Sequence, residues 1–230
     1  MFGTVHSIGV QEQIPIKYLY NWGRNTWYEC GNGANSDLPV PTLIGTHAFW
    51  KTGSRGIAGA YIKSDGTLWV VGSNSNYITG LNTNAGNTTT LTQVGTDNKW
   101  KQVCVGGAHM IAVKHDGTLW SWGKSDYYQT GQNTTNAIRV PTQIGTDTDW
   151  KMCSTGWCAC AAIKYNGTLW TWGQNGSTYL CAQNGVTANI QVPTQVGTDT
   201  DWVDVRMAIY TCKGVKTDGK LYSWGSNGNY

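Results

Sequence analysis

At 230 residues the chain is long enough for one or two domains, and a hydrophobic content of 40% allows a sizeable core. A net charge of +3 with no basic run lacks the electrostatic footprint of a nucleic-acid binder, and no apolar stretch approaches the ~20 residues of a membrane-spanning helix. With 13% charged residues, 30 Gly and 13 Trp against 2 Phe, the composition is turn-rich and strand-rich, with little helix-forming material.

In chain order, Met1 to Gln13 show no basic n-region, apolar h-region or small-residue cleavage site, so no secretory leader is expected. Residues 1–16 alternate apolar and polar (Val5, Ser7, Ile8, Val10) and are a possible closing strand. From Tyr18 onward one unit repeats. Its first part is a pentapeptide: Leu19 to Gly23, Leu68 to Gly72, Leu119 to Gly123, Leu169 to Gly173 and Leu221 to Gly225, at intervals of 49–52 residues. A fixed period in this range marks a repeat architecture. Repeats begin near 18, 67, 118, 168 and 220 within one domain spanning 1–230.

After each pentapeptide comes a loop rich in Asn, Thr and Gly. A short strand follows, with a Pro-Thr-x-Ile/Val-Gly-Thr signature at Pro41 to Thr46, Pro141 to Thr146 and Pro193 to Thr198, a variant with Leu in place of Pro at Leu91 to Thr96, and a Trp four residues on: Trp50, Trp100, Trp150, Trp202. A small-residue strand leads to Asp65-Gly66, Asp116-Gly117, Asn166-Gly167 or Asp218-Gly219. These dipeptides are strong hairpin signals, because both central residues of a type I′ turn need φ > 0. Each unit thus holds about four strands. Adjacent Leu and Trp point to opposite faces of a strand, and both are bulky and apolar, so both faces are buried. Eleven of the thirteen tryptophans fall at repeat positions, where packing between blades is their expected role. The fold expected is an all-β propeller of ~50-residue, four-stranded blades. Five blades closed by both termini is the first reading; four blades, or an open arc completed by another subunit, are the alternatives.

The unit then points to a family. Pro141 to Lys151, the small-residue strand and Lys164 to Gly173 together resemble the bacterial regulator-of-chromosome-condensation repeats, and Gly106-Gly107-Ala108-His109 is similar to that family's Gly-x-x-His element. The resemblance covers residues 18–230 and implies a propeller of four-stranded blades. That family usually forms seven blades from a longer chain. The His element survives once, with Ala159 and Thr211 at the equivalent positions. The family's Gly-Gln-Leu-Gly segment is mostly lost, Thr130-Gly131-Gln132 being a remnant. The eukaryotic founding member acts on a small GTPase and on chromatin, but no inserted exchange wedge or chromatin-binding tail is matched here.

Candidate chemistry is sparse. Most acids sit in hairpin turns or in the Thr-Asp-x-x-Trp segment, where Asp commonly bonds its own backbone. Glu12, Glu29, Asp37, Asp126 and Asp204 are scattered and form no evident glycosidase pair. The seven cysteines lack zinc spacing, and Cys104, Cys153, Cys158, Cys160 and Cys212, which fall in the small-residue strand, read as core thiols. His6, His47, His109 and His115 share no ligand pattern, and His109 is expected to satisfy backbone groups inside a blade. No enzyme, metal or cofactor is expected. The loops after the Trp-Gly strands carry the candidate contact residues: Tyr28, Tyr77, Tyr128 and Tyr179 recur five or six residues past the Gly, Trp27 and Tyr127 sit beside two of them, and Tyr230 continues the series. Each Tyr either plugs its loop against the next blade or offers an aromatic platform to a sugar or a protein. The insert Asn74 to Thr90 is a further contact loop.

The function expected from composition is a non-catalytic display module on a larger assembly: a bacteriophage virion protein, either a capsid decoration or a tail component for host recognition. Its partners would be other virion or surface proteins and host-surface glycan, at an extracellular surface, with no nucleic acid and no membrane insertion. The alternatives are an intracellular protein–protein scaffold of the regulator-of-chromosome-condensation type and a carbohydrate-binding lectin.

Overall fold

The computed structural model describes residues 17–46, 49–84, 86–176, 188–209 and 211–226. Among the described residues, seventeen strands lie in five antiparallel sheets. Sheet I pairs β1 (Tyr20–Gly23) with β2 (Leu38–Leu43). Sheet II runs β3 (Trp50–Arg55), β4 (Ala58–Lys63), β5 (Leu68–Gly72), β6 (Thr88–Gln93). Sheet III runs β7 (Trp100–Val105), β8 (His109–Lys114), β9 (Leu119–Gly123), β10 (Ile138–Gln143). Sheet IV runs β11 (Trp150–Thr155), β12 (Ala159–Lys164), β13 (Leu169–Gly173), β14 (Ile190–Gln195). Sheet V has three strands, β15 (Trp202–Met207), β16 (Thr211–Lys216) and β17 (Leu221–Gly225).

Each complete sheet is a meander of neighbours in sequence. The first strands β3, β7, β11 and β15 contact one another in turn and are innermost. The second strands β8 and β12 are buried along their whole length, and the fourth strands are the outer edge, with half-exposed Thr and Gln. The apolar core lies between consecutive sheets: one cluster joins Ile62 and Leu68 to Trp100 and Met110, the next joins Ile111 and Leu119 to Cys153 and Trp172, and a third joins Ile163 to Trp202 and Cys212. This is the propeller expected from the repeat. The closing strand assigned to residues 1–16 lies outside the described residues.

The Asp-Gly turns form as the sequence predicts. Asp65, Asp116 and Asn166 each accept a backbone N–H and a hydroxyl from the Thr two residues on, and that hydroxyl in turn accepts the indole N–H of Trp69, Trp120 or Trp170. Glycine is required at Gly117: φ is +77°, and a Cβ there would run into the Thr148 carbonyl. The Asp residues of the Thr-Asp-x-x-Trp segment depart from the turn-only reading. Lys164 closes on Asp147 at 2.7 Å and Asp149 at 3.1 Å, and its ammonium lies 4.8 Å from the rings of both Trp150 and Trp170. Lys114 repeats this with Asp97, Trp100 and Trp120, and Lys216 with Asp199, Asp201, Trp202 and Tyr222. Each lysine thus clamps the end of its blade through ion pairs and cation–π contacts. Burial disfavours the Lys164 ammonium, but hydrogen bonds to Asp147 and Asp149 outweigh it and raise its pKa.

The tryptophans pack between sheets where a preceding sheet exists. Trp122 and Trp172 are fully buried, and their indole N–H groups donate to the Ile78 and Gln129 carbonyls of the preceding sheet's loop. Trp22 is the exception at 56% exposed, because sheet I is the first among the described residues and no preceding loop covers it.

Candidate interaction face

The meander sorts the connections onto two faces. First-to-second hairpins and third-to-fourth loops emerge on one, which we call the loop face. Asp-Gly turns and blade-to-blade links emerge on the other, the turn face. A cavity of ≈ 410 Å³ opens near the axis of the loop face. It is lined by the hairpins Gly56-Ile57, Gly106-Gly107, Gly156-Trp157 and Ala208-Ile209, with Met207 and Arg24 among the other walls. Trp157 and Ile209 are 49% and 56% exposed there. The Trp157 ring packs against Gly107, whose N–H donates to the Trp157 carbonyl at 3.2 Å, and any Cβ at Gly107 would meet the ring. Trp157 lies off the pentapeptide grid and has no counterpart at Ile57, Gly107 or Ile209. No periodic signal singled it out.

Next to the cavity, His109 departs from its expected role. It is fully buried, and its Nε2 lies 2.6 Å from Thr155 Oγ1 and 3.1 Å from Cys160 Sγ, both on sheet IV. It therefore ties sheet III to sheet IV through side chains rather than serving the backbone of its own blade. Its Nδ1 has no partner among the described residues. Burial pushes the imidazole pKa down to about 3, so it is neutral. Burial also drives the Cys160 thiol far above its ordinary range. A buried neutral imidazole beside a protonated thiol is a packed hydrogen-bond link, not a nucleophile with its base. Cys153, Cys158, Cys160 and Cys212 are buried, as the core reading expected, while Cys104 is half-buried.

The long loops surround the cavity mouth. Tyr28, Tyr77 and Tyr128 occupy equivalent turns, in which the Tyr carbonyl accepts the N–H of Gly31, Gly80 or Gly131. All three have left-handed backbone, φ 63°, 60° and 61°. The loops are anchored from within. Asn25 accepts the Cys30 N–H and donates to the Ala34 carbonyl, and Asn74 and Ser125 do equivalent work. The Glu29 and Gln129 side chains each cap the N–H of the residue before the Tyr, Trp27 and Tyr127.

Of the predicted contact residues, Trp27 and Tyr127 are exposed, at 44% and 38%, and Tyr28, Tyr77 and Tyr128 are half-buried. The Tyr77 ring is covered by the Arg139 guanidinium of the next sheet at 5.0 Å, which favours loop packing there over a free platform. Tyr179 and Tyr230 lie outside the described residues.

Five consecutive sheets of ~50 residues around an axial cavity, with inner strands touching and loops sorted to one face, define a repeat propeller. The sequence comparisons agree on which kind. The regulator of chromosome condensation (RCC1) repeat matches residues 116–163, and a second form of the same repeat matches residues 100–129. Residues 100–163 of the chain thus match RCC1 repeats. It is 28% identical over 129 residues to human E3 ubiquitin-protein ligase HERC2, a match covering 54% of this chain and 3% of the ligase. Among solved structures, human WBSCR16 superposes with a TM-score of 0.77 at 20% identity over 91% of this chain and 57% of its own. Yeast RCC1 (Prp20) bound to Kap60 gives 0.77 at 17% identity over 90% and 51%. The chain thus spans about half the length of these solved neighbours and a small fraction of the ligase.

Proposed function

We propose that the chain is a non-catalytic protein-interaction scaffold that docks its partner on the loop face. The observation that carries this is the axial mouth, where Trp157 and Ile209 stand half-exposed on hairpins held by a rigid scaffold. Large exposed apolar side chains rimmed by polar loops mark association surfaces, and buried aromatic anchors dominate their energetics. Trp27 and Tyr127 extend the surface outward as rim contacts, with Tyr28, Tyr77 and Tyr128 bracing their loops. The relatives support a protein partner: yeast Prp20 is solved bound to Kap60, and it is described together with its binding to Gsp1p and histones. A place on a virus particle, expected from composition, draws no support from these relatives, and the scaffold reading stands without it.

The test is capture from the source lysate with the intact chain, followed by quantitative mass spectrometry. A Trp157→Ser, Ile209→Ser double variant is expected to lose its specific partner. Tyr165→Ser, at an exposed tyrosine on the turn face, is expected to keep it. Equal capture by all three proteins, or no enriched protein, rejects the loop-face assignment.

A further inference from the structure

Consecutive sheets meet along their inner strands through the same two positions of the repeat. Four residues past the Trp that opens each inner strand stand Ser54, Cys104, Ser154 and Arg206; three residues past it stand Gly53, Val103, Cys153 and Val205. The boundary between sheets II and III and that between sheets IV and V are built alike. Ser54 accepts the Val105 N–H at 3.0 Å, and Ser154 accepts the Met207 N–H at 2.9 Å. Val103 and Val205 fill the same two boundaries from the other side, in the apolar clusters shared with the preceding sheet.

Between sheets III and IV both positions are cysteine. Cys104 on β7 packs against the cluster that holds Cys153 on β11. Its Sγ lies 3.3 Å from the Cys153 carbonyl, and the two thiols are themselves hydrogen-bonded. Gln102 fixes the two strands against each other: it donates to the Cys153 carbonyl at 2.9 Å and accepts the Cys153 N–H at 3.0 Å. A disulfide needs two side chains that face each other from neighbouring backbones, and this pair meets that condition. Cys160, the next thiol along, is engaged elsewhere, with His109, Thr155 and the Gln129 carbonyl.

The two thiols differ in chemistry. Cys153 is fully buried, and burial drives its pKa well above the ordinary range. Cys104 is half-buried. The hydrogen bond from Cys153, with help from the Arg206 charge, outweighs burial and lowers its pKa. A thiol favoured as thiolate is the one that attacks an oxidant.

We propose that Cys104 and Cys153 are a redox-active pair, which a hydroperoxide converts to a disulfide joining the inner strands of sheets III and IV. The Cys104 thiolate attacks the peroxide and breaks its O–O bond. The leaving oxygen takes up the proton that Cys104 gave up and departs as an alcohol or water, and Cys104 is left as a sulfenic acid. The Cys153 sulfur then attacks the Cys104 sulfur. The S–O bond breaks, and the hydroxyl leaves as water with the Cys153 proton. The thiol pair loses two electrons, the hydroperoxide gains them, and an added dithiol reverses the change. The bond ties together the bases of the Gly106-Gly107 and Gly156-Trp157 hairpins, and its formation does not depend on what docks at the axial mouth.

The test treats the intact folded chain with hydrogen peroxide, alkylates the remaining thiols and maps the peptides by tandem mass spectrometry. The expected result is one intramolecular bond between Cys104 and Cys153 that dithiothreitol removes. Trypsin leaves Cys104 in the peptide 102–114 and Cys153 together with Cys158 and Cys160 in the peptide 152–164, so fragmentation within the second peptide assigns the bond. Cys104→Ser and Cys153→Val place at each site a residue that the other boundaries already carry, and both variants should fold. Each should lose the cross-linked peptide. Cys153→Val should instead accumulate a sulfenic acid at Cys104, trapped with dimedone, and Cys104→Ser should show none at Cys153. Three results overturn the proposal. The first is no bond in the folded chain, or one that forms only after unfolding in urea. The second is a bond from either residue to a different cysteine, within the chain or between chains. The third is a dimedone adduct on Cys153 in place of Cys104.

Discussion

His109 shows how one side chain is spent on joining sheets. Its ordinary pKa near 6.5 falls to about 3 on burial, so the folded state binds it neutral while the unfolded state protonates it. The unfolded chain therefore holds more protons between those values. The resulting stability is fully present above about pH 6.5 and is lost as pH falls toward 3. Between pH 6 and 4.5 unfolding free energy should fall by about 1.4 kcal/mol per pH unit on this account. Urea titrations across that window check it. A His109→Gln variant should show a nearly flat profile there, and an unchanged slope would assign the proton uptake elsewhere. The residue was visible in the sequence as a family element, but its partners Thr155 and Cys160 lie 46 and 51 residues away and belong to the next sheet. Sequence order carries no information on that contact.

At the scale of the element, the loops after the third strands present a conflict between local preference and retained side chain. A non-glycine residue in the left-handed region costs about 1 kcal/mol, yet Tyr stands there in three equivalent turns. Tyr128→Gly should therefore be more stable than Tyr128→Ala by about 1 kcal/mol, the reverse of the usual order, because both variants lose the same ring and only the backbone cost differs. Thermal or urea unfolding of the pair decides it; an Ala variant equal to or better than the Gly variant contradicts the left-handed assignment. The recurrence of the tyrosines was legible from spacing alone. Their backbone conformation was not, because it is set by the turn between the Ser125 carbonyl and the Tyr128 N–H and by the internal anchors of the loop. The exposed partners Trp27 and Tyr127 were also legible by adjacency. Trp157 was missed because it belongs to no period.

Across the whole molecule, stability should follow the neighbours each sheet has. A repeat array is held by interfaces between adjacent units, so a unit with one neighbour is weaker than a unit with two. Sheets III and IV are covered on both sides, and Trp122, Trp172, Leu119 and Leu169 are fully buried. Sheet V leaves Leu221 66% exposed and sheet I leaves Trp22 56% exposed. Hydrogen-exchange protection should thus peak in β8 and β12 and fall toward β1 and β17. Uniform protection over all five sheets would show that the two end sheets are covered in solution, and would direct attention to what covers them.

The period, the number of strands per unit, the Asp-Gly turns and the burial of both strand faces followed from the sequence by itself, because each depends on residues close together in the chain. A hairpin turn, an alternating strand and a repeated pentapeptide are local facts. The tertiary structure decided everything that passes between units. It set which face gathers the axial hairpins, turned the Thr-Asp-x-x-Trp acids into clamps on Lys114, Lys164 and Lys216, and paired His109 with Cys160. Those contacts join residues about one repeat apart or cross from one strand to another. Their geometry is fixed only when neighbouring sheets pack and their twist brings the two side chains to one place.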